Sequence, residues 1–227
     1  MTASVAVYLE EGTKRTFAGA LDWPGWCRQG PNETEALTAL LAYGPRYASI
    51  VAGAGLGFVA PNDLAQLLVV ERLPGTATTD FGAPGVAPRV DHEPTDAAAV
   101  RRFETILGSA WHSFDEMVES ARGKTLATGP RGGGRALEAI VRHVIEADAG
   151  YVRAVGWKAP KSAEPREWLA ATREAILAAL NASATGEIPS KGPRGGARWT
   201  ARYFVRRVAW HVTAHTWEIE RRAAATP

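Results

Sequence analysis

The chain has 227 residues, an apolar fraction of 46% and a formal charge of +2. It can therefore bury one large core or two small ones, and it lacks the basic excess of a dedicated nucleic-acid binder. A single cysteine, Cys27, excludes an internal disulfide, fits a reducing cytoplasm and is expected to be buried and inert.

Residues 1–73 read as a small ββαβ domain. Val5-Ala6-Val7-Tyr8-Leu9 is a strand, Glu10–Lys14 a turn containing Gly12, and Arg15–Leu21 a second strand, followed by the turn Asp22-Trp23-Pro24-Gly25-Trp26. Asn32 is placed as an N-cap with Glu33 and Glu35 in the first turn, and Leu37, Leu40, Leu41 and Tyr47 continue a helical stripe. Gly53–Gly57 follows a helix rather than a strand, so it reads as a connector and not a phosphate cradle. Leu67-Leu68-Val69-Val70 has the composition of a buried strand.

Residues 74–94 hold four prolines and three glycines with few periodic apolar positions, the pattern of a linker. From residue 95 to 227 the periodicity is helical throughout. One stripe runs Val100, Phe103, Leu107, Trp111, Phe114, Val118, and a second runs Leu137, Ile140, Val144, Ala147, Tyr151. A third runs Leu169, Thr172, Ile176, Leu180, and a fourth runs Phe204, Val208, His211, Val212, His215, Ile219. Four amphipathic helices predict a four-helix bundle, so the fold class is α+β. Gly129–Arg135 and Gly192–Arg198 echo each other ahead of the second and fourth helices, and both read as flexible loops. Arg194, Arg198, Arg202, Arg206 and Arg207 are spaced around their helix rather than along one line, the arrangement of a solvated surface, with an anionic ligand as the alternative.

Three histidines carry the chemistry. His211 and His215 are four apart, so both rings stand on one helix face, and that face is apolar. His143 lies on the inward stripe of its own helix between Ile140, Val144 and Ala147. Three buried imidazoles are costly unless hydrogen-bonded or coordinated, so they point to a divalent transition metal with open positions for water or substrate. Zn, Ni and Fe all accept imidazole and are not distinguished. Hydrogen-bonded core histidines are the alternative. His112, flanked by polar positions, reads as solvated, and His92 falls in the linker. Glu146, Asp148 and Glu218 lie within a turn or so of the candidate ligands and are placed to orient them or move protons, although each reads first as a solvated helix charge. His143 comes eight residues after Arg135 and His211 thirteen after Arg198, so parallel helices starting level would separate the rings by about 7.5 Å. An antiparallel pair removes this mismatch. It requires Gly156–Ala163 to cross the bundle, and those eight residues reach about 26–29 Å when extended.

A bundle with one histidine on its second helix and His-x-x-x-His on its fourth resembles the DinB-like superfamily, over residues 95–224. That superfamily includes metal-binding thiol transferases and mycothiol-dependent maleylpyruvate isomerases. The resemblance implies a right-handed up-down-down-up bundle with His143, His211 and His215 as metal ligands. It also implies a small-molecule substrate, with a low-molecular-weight thiol as co-substrate. Residues Phe17–Trp26, with Gly30 and the Glu33-Glu35-Ala36 helix start, are similar to the HicB-like fold. A metal-dependent enzyme on small molecules, such as a thiol S-transferase, is the expected function. The alternatives are a non-catalytic metal- or ligand-binding protein of stress or sensing, and a HicB-like partner in a toxin–antitoxin pair. No apolar run is long enough to cross a bilayer, and Met1–Glu11 lacks the basic start and long apolar stretch of a signal peptide. A cytoplasmic protein with no nucleic-acid or membrane partner is expected, with a homodimer through the first domain left open.

Overall fold

The structure is a computed structural model that describes residues 4–128 and 134–224. The chain divides into two compact units, Met1–Glu93 and Pro94–Pro227, the first built on a sheet and the second on long helices.

In the first unit, strands β1 (Val5–Glu11), β2 (Thr16–Ala20) and β3 (Cys27–Gly30) precede helices α1 (Glu33–Ala42) and α2 (Gly44–Val51). Strand β4 (Leu67–Pro74) and the short helix α3 (Ala77–Phe81) follow. The sheet order is β3-β2-β1-β4, antiparallel except for the parallel pair β1–β4. A parallel pair needs a crossover, and α1 and α2 lie within it. Both faces of β1 are covered, since Val7, Tyr8, Leu9 and Glu10 are each at most 1% exposed. Asn32 caps α1 as expected, its side chain accepting from the Glu35 amide at 3.0 Å. Trp26 donates its indole N–H to the Leu40 carbonyl at 2.9 Å, and Tyr47 its hydroxyl to the Pro24 carbonyl at 2.8 Å. Phe58 sets its edge against both rings, which ties the Trp23–Trp26 turn to the helices.

Three expectations for this region change. Leu67-Leu68-Val69-Val70, read as a buried strand, alternates instead, with Leu68 and Val70 exposed at 48% and 59% because only one face of β4 is covered. The predicted ββαβ order gains strand β3, because Cys27-Arg28-Gln29-Gly30 has no apolar alternation and is extended by its ladder with Thr16–Gly19. The predicted linker 74–94 is mostly folded into the first unit, whose boundary falls at Glu93. The segment holds α3, the Gly85 and Val86 amides donate to Glu10, and the Arg89 amide donates to Glu71 at 3.0 Å. Local composition does not reveal such long-range bonds.

The second unit contains α4 (Ala97–Ala121), α5 (Leu137–Val155), α6 (Pro165–Ala184) and α7 (Ala201–Ala224). Asp96 caps α4 by accepting from the Ala99 amide at 2.8 Å, and Pro165 opens α6 where its missing N–H costs nothing. Gly156 closes α5 in the left-handed region at φ 101°, where a side chain would also strike Arg198. Hydrogen bonds between helix ends fix the directions. The Trp199 amide, just ahead of α7, donates to Ala154 at 3.2 Å, and Arg222 near the end of α7 donates to Arg135, so α5 and α7 are antiparallel. Arg173 pairs with Asp115 and Asn181 with Glu104, so α6 is antiparallel to α4. Arg202 reaches Pro94, and the Ala127 amide bonds to Arg222, so α4 and α7 are parallel. The order is therefore up, down, down, up, and the segment between α5 and α6 makes the return crossing.

The apolar stripes are buried largely as expected, with Val118, Ala147, Tyr151 and Leu169 only partly covered. Helix α7 departs from a one-sided stripe, since sixteen of its residues are buried and they occupy every side of it. Arg206 and Arg207, expected on a solvated surface, are 5% and 7% exposed, and Arg222 is 6% exposed. Among the described residues, no helix is long and apolar enough to cross a membrane. Of the two echoing loops, residues 129–133 lie outside the described residues. The other turns back through a Lys191–Ala197 bridge.

Candidate metal centre

The antiparallel pairing of α5 and α7 brings together the three histidines singled out by their spacing. His143 Nε2 lies 3.2 Å from His211 Nε2, which lies 3.2 Å from His215 Nε2, and all three donor atoms fall within 4.8 Å of one another. The rings meet edge to face, with centroids 4.6–5.0 Å apart. His211 is 5% exposed, while His143 and His215 are partly covered. His112 is exposed beside Glu116, as expected, and His92, read as part of a linker, is exposed at the end of a short helical turn of the first unit.

The contacts around the rings constrain their protons. His215 Nδ1 lies 2.7 Å from Glu218 Oε2, so Nδ1 carries a proton, and in the neutral ring the lone pair is the one on Nε2. A proton on His211 Nε2 can point along a straight bond to one neighbour only, yet that atom has two neighbours at 3.2 Å. His211 Nδ1 is buried without a partner. No placement of protons on neutral rings thus satisfies the trio fully. A cation held by the three Nε2 atoms would use all of their lone pairs at once, and two of the three nitrogen separations, at 3.2 Å, suit neighbouring ligands of one ion, the third lying within 4.8 Å. On these grounds the donor set fits a metal ion.

Electrostatics favour the neutral, ligating form of the buried rings. Burial, then the neighbouring His215, holds His143 below the usual imidazole range. The same causes, with His143 added, hold His211 well below it. Glu218 is pulled down to about 2, first by its hydrogen bond with His215 and then by Arg222, against an opposing effect of burial. Arg222 fixes Glu218 in turn, donating to Oε1 at 2.9 Å and to the Ala127 and Arg135 carbonyls at 2.8 Å each. Gly134 lies against this guanidinium, where a Cβ would come within 2.5 Å of Nη2.

The three carboxylates named from sequence part ways. Glu218 holds the His215 ring, the orienting role considered for it. Glu146 is exposed and lines a cavity of about 1020 Å³ along α5 and α6, a cavity that His143 also lines. Asp148 is turned into the helical core, where burial raises it well above the carboxylate range against the pull of Arg173. Sequence reading missed Arg222, which lies at i,i+4 from Glu218, and that spacing was the available signal.

No protein-family model, no curated protein and no solved structure matches this chain.

Proposed function

We propose that the chain is a metal-dependent enzyme acting on a small molecule, built on a DinB-like four-helix bundle, and that it joins a low-molecular-weight thiol to an electrophile. The observation that carries this reading is the convergence of three imidazole Nε2 atoms that protons alone cannot satisfy. His143, His211 and His215 would hold the ion. Bound there, a divalent transition metal such as Zn, Ni or Fe would lower the pKa of a coordinated thiol or water towards neutrality and polarise an electrophile.

The residues of the chain do the rest. Burial keeps His143 and His211 uncharged, so their lone pairs are available at neutral pH. Glu218 accepts the His215 Nδ1 proton, which fixes the tautomer and aims Nε2 inward. Arg222 locks Glu218 and anchors both to the chain ahead of α5. The cavity beside His143 gives a small molecule a route to the site, and Glu146 on its wall is placed to take up a proton.

One observation favours a non-catalytic binding protein as the second reading. Glu218 is committed to His215 and Arg222, and Asp148 is turned away, which leaves Glu146 alone among the three carboxylates to act as a base. Elemental analysis of protein without a histidine tag, native and His215→Ala, tests the site. About one equivalent of a transition metal in the native chain and none in the variant is expected. No metal after incubation with Zn or Ni overturns the proposal. Thiol consumption in the presence of an electrophile, lost together with the metal, separates enzyme from binding protein.

A further inference from the structure

Arg207 sits one turn before His211 on α7, about 6 Å away along the helix axis. It is 7% exposed. The hydrogen bond it makes goes from Nη2 to the Tyr151 hydroxyl at 3.2 Å, while Nε and Nη1 have no partner. Three rings surround its Cζ, with centroids at 5.2 Å for Trp210, 5.3 Å for Tyr151 and 5.7 Å for Trp199. The acceptor is a phenol hydroxyl, which provides no counter-charge.

A guanidinium stays charged when buried and cannot relieve its position by losing a proton. Ring faces attract the cation, but they do not accept the N–H bonds left over in its plane. The arrangement lacks an anion with acceptor oxygens. A carboxylate matches the flat fork of donors held among flat rings. Tyr151 also lies against His211, with ring centroids 5.7 Å apart, so the cage adjoins the histidine cluster. Trp199 is only partly covered and belongs to the segment leading into α7, so the cage meets solvent at this ring.

We propose that Arg207, within the Tyr151–Trp199–Trp210 cage, is an anchoring site for a carboxylate on the small molecule that the histidine centre acts on. This deepens the metal-site reading and rests on it for the identity of the reacting end. The substrate class is then a small carboxylic acid whose reacting atom lies a few bonds from the carboxylate, matching the one-turn spacing of Arg207 and His211.

The test uses the full chain, treated with chelator and titrated with acetate or with its neutral isostere acetamide at constant ionic strength. Tryptophan fluorescence reports the cage. A saturable response to acetate and none to acetamide is expected, with at least tenfold weaker acetate binding in Arg207→Gln. No discrimination between the two probes in the native chain overturns the proposal, as does undiminished acetate binding in Arg207→Gln. If Arg207→Gln loses its helical signal, Arg207→Lys carries the same test, because it keeps the charge and loses the fork. Zn titration of the native chain and Arg207→Gln runs alongside. Normal Zn binding with lost acetate binding in the variant supports the anchor as separate from the ligands. Acetate binding in a native chain that takes no Zn overturns the metal reading and leaves the anion site standing.

Discussion

Glu10 in the sheet unit and the histidine–arginine group in the helical unit are both buried polar clusters, and they are finished differently. Glu10 is fully buried, and its oxygens accept from the Thr79 hydroxyl, the Gly85 amide at 2.8 Å and the Val86 amide at 3.1 Å. The carboxylate closes a loop of some seventy residues and has donors for both oxygens. On α7, by contrast, His211 Nδ1 and Arg207 Nε and Nη1 are buried with nothing to bond. Folded proteins leave few such groups, because each costs about 1–3 kcal/mol. The difference is that Glu10 is bonded within its own unit, whereas the α7 cluster leaves buried polar atoms without a protein partner, as the proposed ligands would require.

The largest test of this contrast is Glu10→Ala. It strands the Thr79 hydroxyl and two amides, each at about 1–3 kcal/mol, so a loss of at least about 3 kcal/mol is expected. Urea denaturation followed by circular dichroism measures it, and a loss under about 1 kcal/mol would mean that Glu10 is no latch. Next in size is the effect of filling the α7 cluster. Free Zn at a hundredfold excess over its dissociation constant should stabilise the chain by about 2.7 kcal/mol, and His143→Ala should abolish that gain. Thermal melts with and without Zn read both. An equal rise in the variant would detach the stabilisation from the histidines.

Much of this was legible in the chain itself, for physical reasons that differ by element. The spacing of His211 and His215 and the inward place of His143 follow from helical periodicity, so the trio could be named before its geometry was seen. An antiparallel pairing of α5 and α7 was one way to remove the mismatch between the ring positions, and it is the arrangement found. Strand β3 was not legible, because Cys27–Gly30 takes its extended form from β2 rather than from its own side chains. Nor was the fate of residues 77–93, where prolines and glycines resemble a linker and bonds to Glu10 and Glu71 decide otherwise. The arginines of α7 were misplaced for a third reason. Charge predicts exposure only when no aromatic cage or carbonyl cluster receives the side chain, and both exist here for Arg207 and Arg222.

Asp148 gives a smaller test with a pH signature. Its Oδ1 has no partner, and burial raises its pKa well above 3.8, so the folded state favours the protonated form. An acid raised on folding contributes stability that is complete below its unfolded value of about 3.8 and fades as pH climbs through the folded value. Asp148→Asn is uncharged at every pH. It should therefore melt higher than the native chain at pH 7, with the advantage shrinking as pH approaches 4. A native chain that is the more stable of the two at pH 7 would show instead that attraction to Arg173 outweighs burial.

The smallest effect expected is at the surface of the sheet unit, where Arg72 bridges to Glu33 at 2.8 Å with both side chains well exposed, at 53% and 39%. Water screens this pair and each long side chain must be ordered to form it, so Arg72→Ala should cost less than about 1 kcal/mol. High salt should reduce what difference there is, since screening of exposed charges strengthens as the Debye length falls to about 3 Å at 1 M. Urea melts of both chains at low and high salt give the comparison with Glu10→Ala directly. Two carboxylates of one unit, each with partners far away in the sequence, then differ severalfold in effect because one is buried and fully bonded and the other stands in water. A salt-resistant loss at Arg72 matching that at Glu10 would remove burial as the variable that separates them.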